Sequence, residues 1–331
     1  MTGTTTTTER VFDLHGVGVG VRAEDPRVID AIELRLRDFA SDTAPEPELR
    51  FEFVAEGVAD PEPPRGAARP VYDTPHGTLH YLPDADVLRG RLGRVELRCE
   101  AGRGVARFYS PAFTGRDLYL ATHPLATISL MELLERRGLF ALHAACLACD
   151  AERGVLLAGA SGAGKSTLAL ALADRGMRFL SDDIVFLAPD ADSDEVRVLG
   201  FADTVGLTEF GVAHLPLLGP LCEELPADGF PKRLHRIEDL FGTPGLEACR
   251  PVVLVFPEVS FKESSAIAPL DPGDAMLRLV PDVLLTDPAA TQAHLRAIAA
   301  LLKQVRDTRA HDPRERFRVQ SNPEHKDQQR H

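Results

Sequence analysis

Apolar positions along the chain fall into three regimes. Up to about residue 125 they come in short runs with partial alternation. Arg10–Val21, Leu49–Val54, Thr78–Leu82, Arg94–Cys99 and Gly104–Tyr109 carry β-branched or aromatic residues at such spacing and are predicted as strands. Arg27–Phe39 breaks the pattern: Val28, Ile29, Ile32, Leu34, Leu36 and Phe39 form a mostly one-sided apolar stripe, which predicts a helix. Ser41–Glu48 and Glu56–Pro70, rich in Pro, Asp, Glu and Ala, read as exposed loops. Gly16, Gly18 and Gly20 sit in an alternating strand with no helix start after them, so they do not make a nucleotide loop.

The second regime begins near Leu118. Leu125–Arg137 predicts a helix with a broad apolar face, ended by Gly138. From there to about Asp307, strand-like and helix-like runs alternate, the pattern of an α/β fold. The third regime, Thr308–His331, is polar and charged with almost no apolar content and predicts a disordered tail. The expected organisation is therefore a β-rich domain over 1–124, an α/β domain over 125–307 and a polar tail over 308–331.

Composition narrows the function without choosing it. The chain has 331 residues, 44% of them hydrophobic and 26% charged, with a formal net charge of −13. That balance argues against a nucleic-acid surface, because no basic cluster offsets it. Lys232–Arg233 is short, and Arg306–Arg316 is mixed with acidic residues. No apolar run approaches the roughly 20 residues that span a bilayer, and Met1–Thr8 has neither the charged nor the apolar part of a secretion signal. A cytoplasmic protein is expected. Five cysteines without disulfide-type spacing agree with that. Cys146 and Cys149 form a lone C-x-x-C; with no second ligand pair to complete a zinc site, core packing is the expected role.

The most specific chemical signal is Gly159–Ala160–Ser161–Gly162–Ala163–Gly164–Lys165–Ser166, which fits G-x-x-x-x-G-K-[ST] in full. A strand signal, Val155–Ala158, precedes it, and a helix rich in Ala and Leu, Leu168–Ala173, follows. Backbone N–H groups of a Gly-rich turn converge on phosphate oxygens where side chains would block the approach. The helix N-terminus adds partial positive charge. Lys165 is placed to reach the β- and γ-phosphates and the Ser166 hydroxyl to bind Mg²⁺, with Thr167 completing the loop.

Asp182 and Asp183 follow within Met177–Leu187, flanked by apolar residues as in a strand crossing a core. Two carboxylates there are costly unless a cation meets them, and Mg²⁺ beside the phosphate loop would supply it. Adjacent strand residues face opposite ways, so the pair divides its work unless the strand ends or bulges there. The plainer alternative is a turn between two short strands. His143, in the apolar run Leu139–Cys149, reaches the same place if its strand pairs beside the phosphate-loop strand; a lone histidine among apolar residues is otherwise a core residue.

His143-A-A-C, then G-V-L-L-A-G-A-S-G-A-G-K-S-T, then R-G-M-R-F-L-S-D-D, resembles in order the HPr kinase/phosphorylase superfamily, relatives of phosphoenolpyruvate carboxykinase. The close resemblance covers about 139–187. It implies a P-loop kinase core of the HPr kinase/carboxykinase type over 125–307, beside the separate β-rich N-terminal domain. It also implies ATP and Mg²⁺ as cofactors, Asp182 as the base that takes a proton from an acceptor hydroxyl, and His143 assisting it as neighbour of that first aspartate. Asp183 would bind Mg²⁺ with Ser166. The chain departs from the family in having Thr167 where a Glu follows the Lys-Ser. It keeps Leu240-Phe241-Gly242 without the arginine- and glycine-rich signature before it. HPr itself is thus not the implied acceptor. Lys232 and Arg233 either replace the missing arginine or lie in a solvated loop, and His214 and His235 are expected to be surface or structural residues rather than catalytic ones.

The expectation is an ATP-dependent kinase acting on a serine- or threonine-like hydroxyl of a peptide, protein or metabolite, with a homo-oligomer as one outcome of the resemblance. The alternatives are an ATP-binding accessory protein of a biosynthetic or peptide-modification system, without phosphotransfer, and a carboxykinase-like enzyme.

Overall fold

The computed structural model describes residues 7–40, 46–56, 68–201, 204–207, 233–242, 245–259 and 266–311. His214, Lys232, most of the two expected loops and the tail beyond His311 lie outside them. The fold is mixed α/β with several sheets. It divides into two compact units, one formed by Met1–Leu139 with Leu284–His294 and the other by Phe140–Val283 with Leu295 onward. No helix among the described residues is long and apolar enough to cross a membrane.

The first unit is built on an eight-stranded sheet. Its strands are β1 (Thr8–Leu14), β2 (Val17–Ala23), β3 (Leu49–Val54), β4 (Arg69–Thr74), β5 (Gly77–Leu82), β6 (Val87–Leu92), β7 (Val95–Glu100) and β8 (Val105–Tyr109). Their order is β1-β2-β3-β8-β7-β6-β5-β4. The run expected as one strand over Arg10–Val21 is a hairpin. His15 and Gly16 both take positive φ, 56° and 90°, as a two-residue turn between antiparallel strands requires. Helix α1 (Pro26–Leu36) makes the crossover between parallel β2 and β3. Asp25 caps it, accepting from the Arg27 N–H, and Val28, Ile29, Ile32 and Leu36 are buried, whereas Leu34 of the expected stripe is exposed.

The helix expected over Leu125–Arg137 is longer and interrupted. It starts as α2 (Gly115–Leu120), passes through a π-turn at Ala121–Leu125 and continues as α3 (Ala126–Glu135). Pro124, which has no N–H to donate, lies in that π-turn. At the end of α3 a buried polar cluster gathers around Arg136. Its guanidinium lies 2.8 Å from Glu132, 2.9 Å from Asp86 and 3.5 Å from Glu135, and His294 lies 3.6 Å from Glu135.

The second unit contains two four-stranded sheets. One has the order β12-β10-β11-β18, from β10 (Ala144–Ala148), β11 (Gly154–Ala158), β12 (Arg178–Ser181) and β18 (Pro251–Val255). The other has the order β17-β14-β13-β9, from β9 (Phe140–Leu142), β13 (Val185–Pro189), β14 (Val196–Gly200) and β17 (Ala248–Cys249). A separate hairpin joins β15 (Thr204–Leu207) to β16 (Arg233–Arg236).

Helix α4 (Lys165–Asp174) packs on the first of these sheets, burying Ala169, Leu170 and Ala173 against Ala145, Leu147, Val155, Leu157 and Phe179. The short helix α5 (Ile237–Phe241) ends at Gly242, whose φ of 64° is a left-handed cap, and sets Leu240 and Phe241 against the same core. The retained Leu-Phe-Gly thus has a packing role here. Helix α6 (Pro272–Leu279) follows. Helix α7 (Pro288–His311) runs into the stretch expected as a tail. From α7, Gln304 accepts from the Val196 N–H and donates to the carbonyls of Val196 and Pro251, which ties β14 and β18 to it.

Candidate functional site

Register brings the sequence-predicted residues to one end of the strands of the β12-β10-β11-β18 sheet. Strand β10 runs antiparallel to both neighbours, with Ala144 opposite Ala158 and Cys146 opposite Ser181. The ends of β11 and β12 therefore lie beside the start of β10. The phosphate loop leaves β11 there, the aspartates leave β12 there, and His143 is the residue just before β10.

The aspartates are not inside a strand. The chain leaves one sheet after Ser181 and joins the other at Val185. It makes the same change between Leu142 and Ala144. Leu142 opposite Val185 continues the register of Cys146 opposite Ser181, so the two crossings face each other. The expectation of a strand through Asp182–Asp183 is corrected to a bend where two sheets part. The reason is tertiary: each half of the apolar run belongs to a different sheet. Ser181 fixes the bend, its hydroxyl lying 2.6 Å from the Ile184 carbonyl and 2.7 Å from that of Phe201. Sequence reasoning passed over this serine, although its position directly before the acid pair was a signal.

The bend divides the two carboxylates by environment. Asp182 is buried, at 7% exposure, while the Asp183 side chain is 72% exposed. His143 Nε2 lies 3.3 Å from Asp183 Oδ1. The resemblance implied that the imidazole neighbours the first aspartate; here it faces the second, because the shared register sets 143–144 against 183–184.

The glycines of the Gly159–Ser166 loop take positive φ. Gly159, Gly162 and Gly164 have φ of 138°, 82° and 94°, in or near the region closed to most side chains. Gly164 is the N-cap of α4, and no side chain caps that helix. A helix N-terminus without a side-chain cap presents its first turn and the positive end of its dipole to whatever lies in front of it. Lys165 is buried and curls back over the loop, donating to the carbonyls of Gly159 at 2.6 Å and Ala160 at 3.2 Å. Ser166 and Thr167, in the first turn of α4, are half-buried. At Gly162 the loop is open: a Cβ built there would meet no atom within 4 Å.

The C-x-x-C pair does not come together. Cys146 is buried with its Sγ 3.6 Å from that of Cys249, and Cys149 is exposed. Burial pushes the Cys146 thiol well above its ordinary value. Among the described residues, no group of three or more His, Cys, Asp or Glu side chains is arranged to hold a metal ion.

Comparison with protein-family models gives no match, and comparison with curated proteins gives none. Among solved structures the chain is similar to the Hpr(Ser) kinase/phosphatase from Coxiella burnetii, at 24% identity over 40% of this chain and 73% of that one, with a TM-score of 0.25. With a TM-score that low, any functional reading rests on this chain's own residues.

Proposed function

We propose that this chain is an ATP-dependent phosphotransferase whose acceptor is a hydroxyl of the serine or threonine type, on a peptide, a protein or a small metabolite. The observation that carries the reading is the phosphate loop at the start of α4: three glycines with positive φ, N–H groups with no side-chain cap, and Lys165 at the mouth. An acid pair leaves a strand at the same end of that sheet. These residues fit a nucleoside triphosphate, since the loop places glycine backbone and the Lys165 ammonium group together at a helix N-terminus. Mg²⁺, bound with ATP, supplies charge neutralisation and takes most of its ligands from phosphate and water. That agrees with a site lacking an all-protein cage. Ser166 and Asp183 are the residues offered to it.

Asp182 is assigned the acceptor's proton, and Lys165 the phosphate charge. His143 holds Asp183 in place, which differs from the role the resemblance implied for it. Catalysis of this kind comes mainly from positioning and charge stabilisation.

The test is incubation of the protein with Mg²⁺ and γ-labelled ATP, with and without a lysate of its source. Label should move to one protein, peptide or metabolite, and Asp182→Asn should abolish that transfer while leaving ATP affinity within about threefold. If ATP binds and label never reaches an acceptor, the reading fails and the accessory ATP-binding role replaces it.

A further inference from the structure

Strands β11 and β18 are parallel neighbours, with Val155 opposite Val253 and Leu157 opposite Val255. Ligands of α/β sheets sit beyond the C-terminal ends of such strands. The loop after β18 therefore flanks the phosphate loop, and Gly164 shows how closely: a Cβ built there would lie 3.3 Å from Val259 Cγ2. Val259 is nevertheless 58% exposed, an apolar side chain left open at the rim of the loop.

Arg278 of α6 pairs with Glu258 at 2.8 Å, and its guanidinium lies over the Phe256 ring, 5.5 Å from the centroid. A strip thus runs from a half-buried aromatic ring to an exposed valine beside the glycine that caps α4. The phosphates take the polar side of that glycine, where the N–H groups are. What remains of a nucleotide is its ribose and, beyond that, its flat base, whose apolar faces gain from packing on such a surface.

We infer that the segment Phe256–Val259 is the wall against which the nucleotide's base packs, with Val259 in contact and Arg278 as the residue that positions the segment. This rests on the phosphotransferase reading only in needing the loop to bind a nucleoside triphosphate.

The experiment compares ATP with inorganic tripolyphosphate, which has neither ribose nor base, and with ribose 5-triphosphate, which lacks the base alone and should bind like tripolyphosphate, by calorimetry on the full chain. The wild type should bind ATP at least tenfold more tightly than tripolyphosphate. Val259→Asn should erase most of that preference by weakening ATP alone, and Val259→Leu should keep it. Val259 is largely exposed, so neither change opens a cavity in the core. Arg278→Gln should reduce the same preference in part. The inference is overturned if Val259→Asn leaves ATP affinity unchanged or weakens both ligands equally. Failure of the wild type to bind either ligand would instead overturn the nucleotide reading beneath it, and this inference with it.

Discussion

Glu132 offers a quantitative test of how the first unit is held together. Its side chain is fully buried at the end of α3. Burial pushes its carboxyl up from 4.5 to about 7; Arg136 opposes the rise, and Glu135 and Asp86 add to it. Because the folded value lies above the unfolded one, the folded unit binds this proton more tightly. The associated stability is fully present below pH 4.5 and is lost as pH rises to about 7. A rise of that size corresponds to about 3 kcal/mol across the whole range, at about 1.4 kcal/mol per pH unit. Between pH 5.5 and 8.5 the part that changes is about 2 kcal/mol. Glu132→Gln keeps the shape and removes the titration. Urea unfolding of wild type and variant at those two pH values should show the gap moving by that amount in the variant's favour at the higher pH. Parallel shifts in the two proteins, with a constant gap, would refute the reasoning and mean that Arg136 keeps Glu132 ionised throughout.

Three other outcomes follow from the second unit. Gly164→Ala places a side chain at a φ of 94° and within 3.3 Å of Val259; it should cost about 1–3 kcal/mol in thermal unfolding and weaken ATP binding, and an unchanged melting temperature would contradict the loop geometry. Ser181→Ala removes the donor shared by the Ile184 and Phe201 carbonyls and should cost about 1–3 kcal/mol in urea, with phosphotransfer falling more than ATP affinity; no change in either would show that the bend does not depend on it. Alkylation of the native protein, followed by mass mapping, should label Cys149 and spare Cys99, Cys146 and Cys249 until denaturant is added. Early labelling of Cys146 would mean that its sheet opens.

Much of the fold was legible where one strand or helix carries its own pattern. Leu49–Val54 was read to the residue, because Leu49, Phe51 and Phe53 alternate with polar neighbours and face the core. The strand–loop–helix around Gly159–Ser166 was legible because its motif is contiguous and its flanks carry their own patterns. Patterns failed where the chain changes direction or sheet without changing character. Val11 to Val21 alternates through the His15–Gly16 turn, so the hairpin looked like one strand. Strand β4 begins in a segment whose prolines read as loop, and the Arg89–Gly90–Arg91 run in β6 hides its alternation. The apolar runs around His143 and the acid pair are each split between two sheets, and no local signal marks the split. The approach of Cys146 to Cys249, 103 residues apart, was equally out of reach.

The parting of the two sheets has a mechanical consequence. Two strands cross the seam side by side, one carrying the imidazole and the other the carboxylates. The contact between His143 and Asp183 spans it. A change in how the two sheets meet bears on that contact, since each residue is tethered within two positions to strands on both sides. The pair therefore acts as a gauge of the seam. A resonance from the His143 ring would report the sheets' relative motion directly, and would show whether filling the phosphate loop on one sheet is felt by the other.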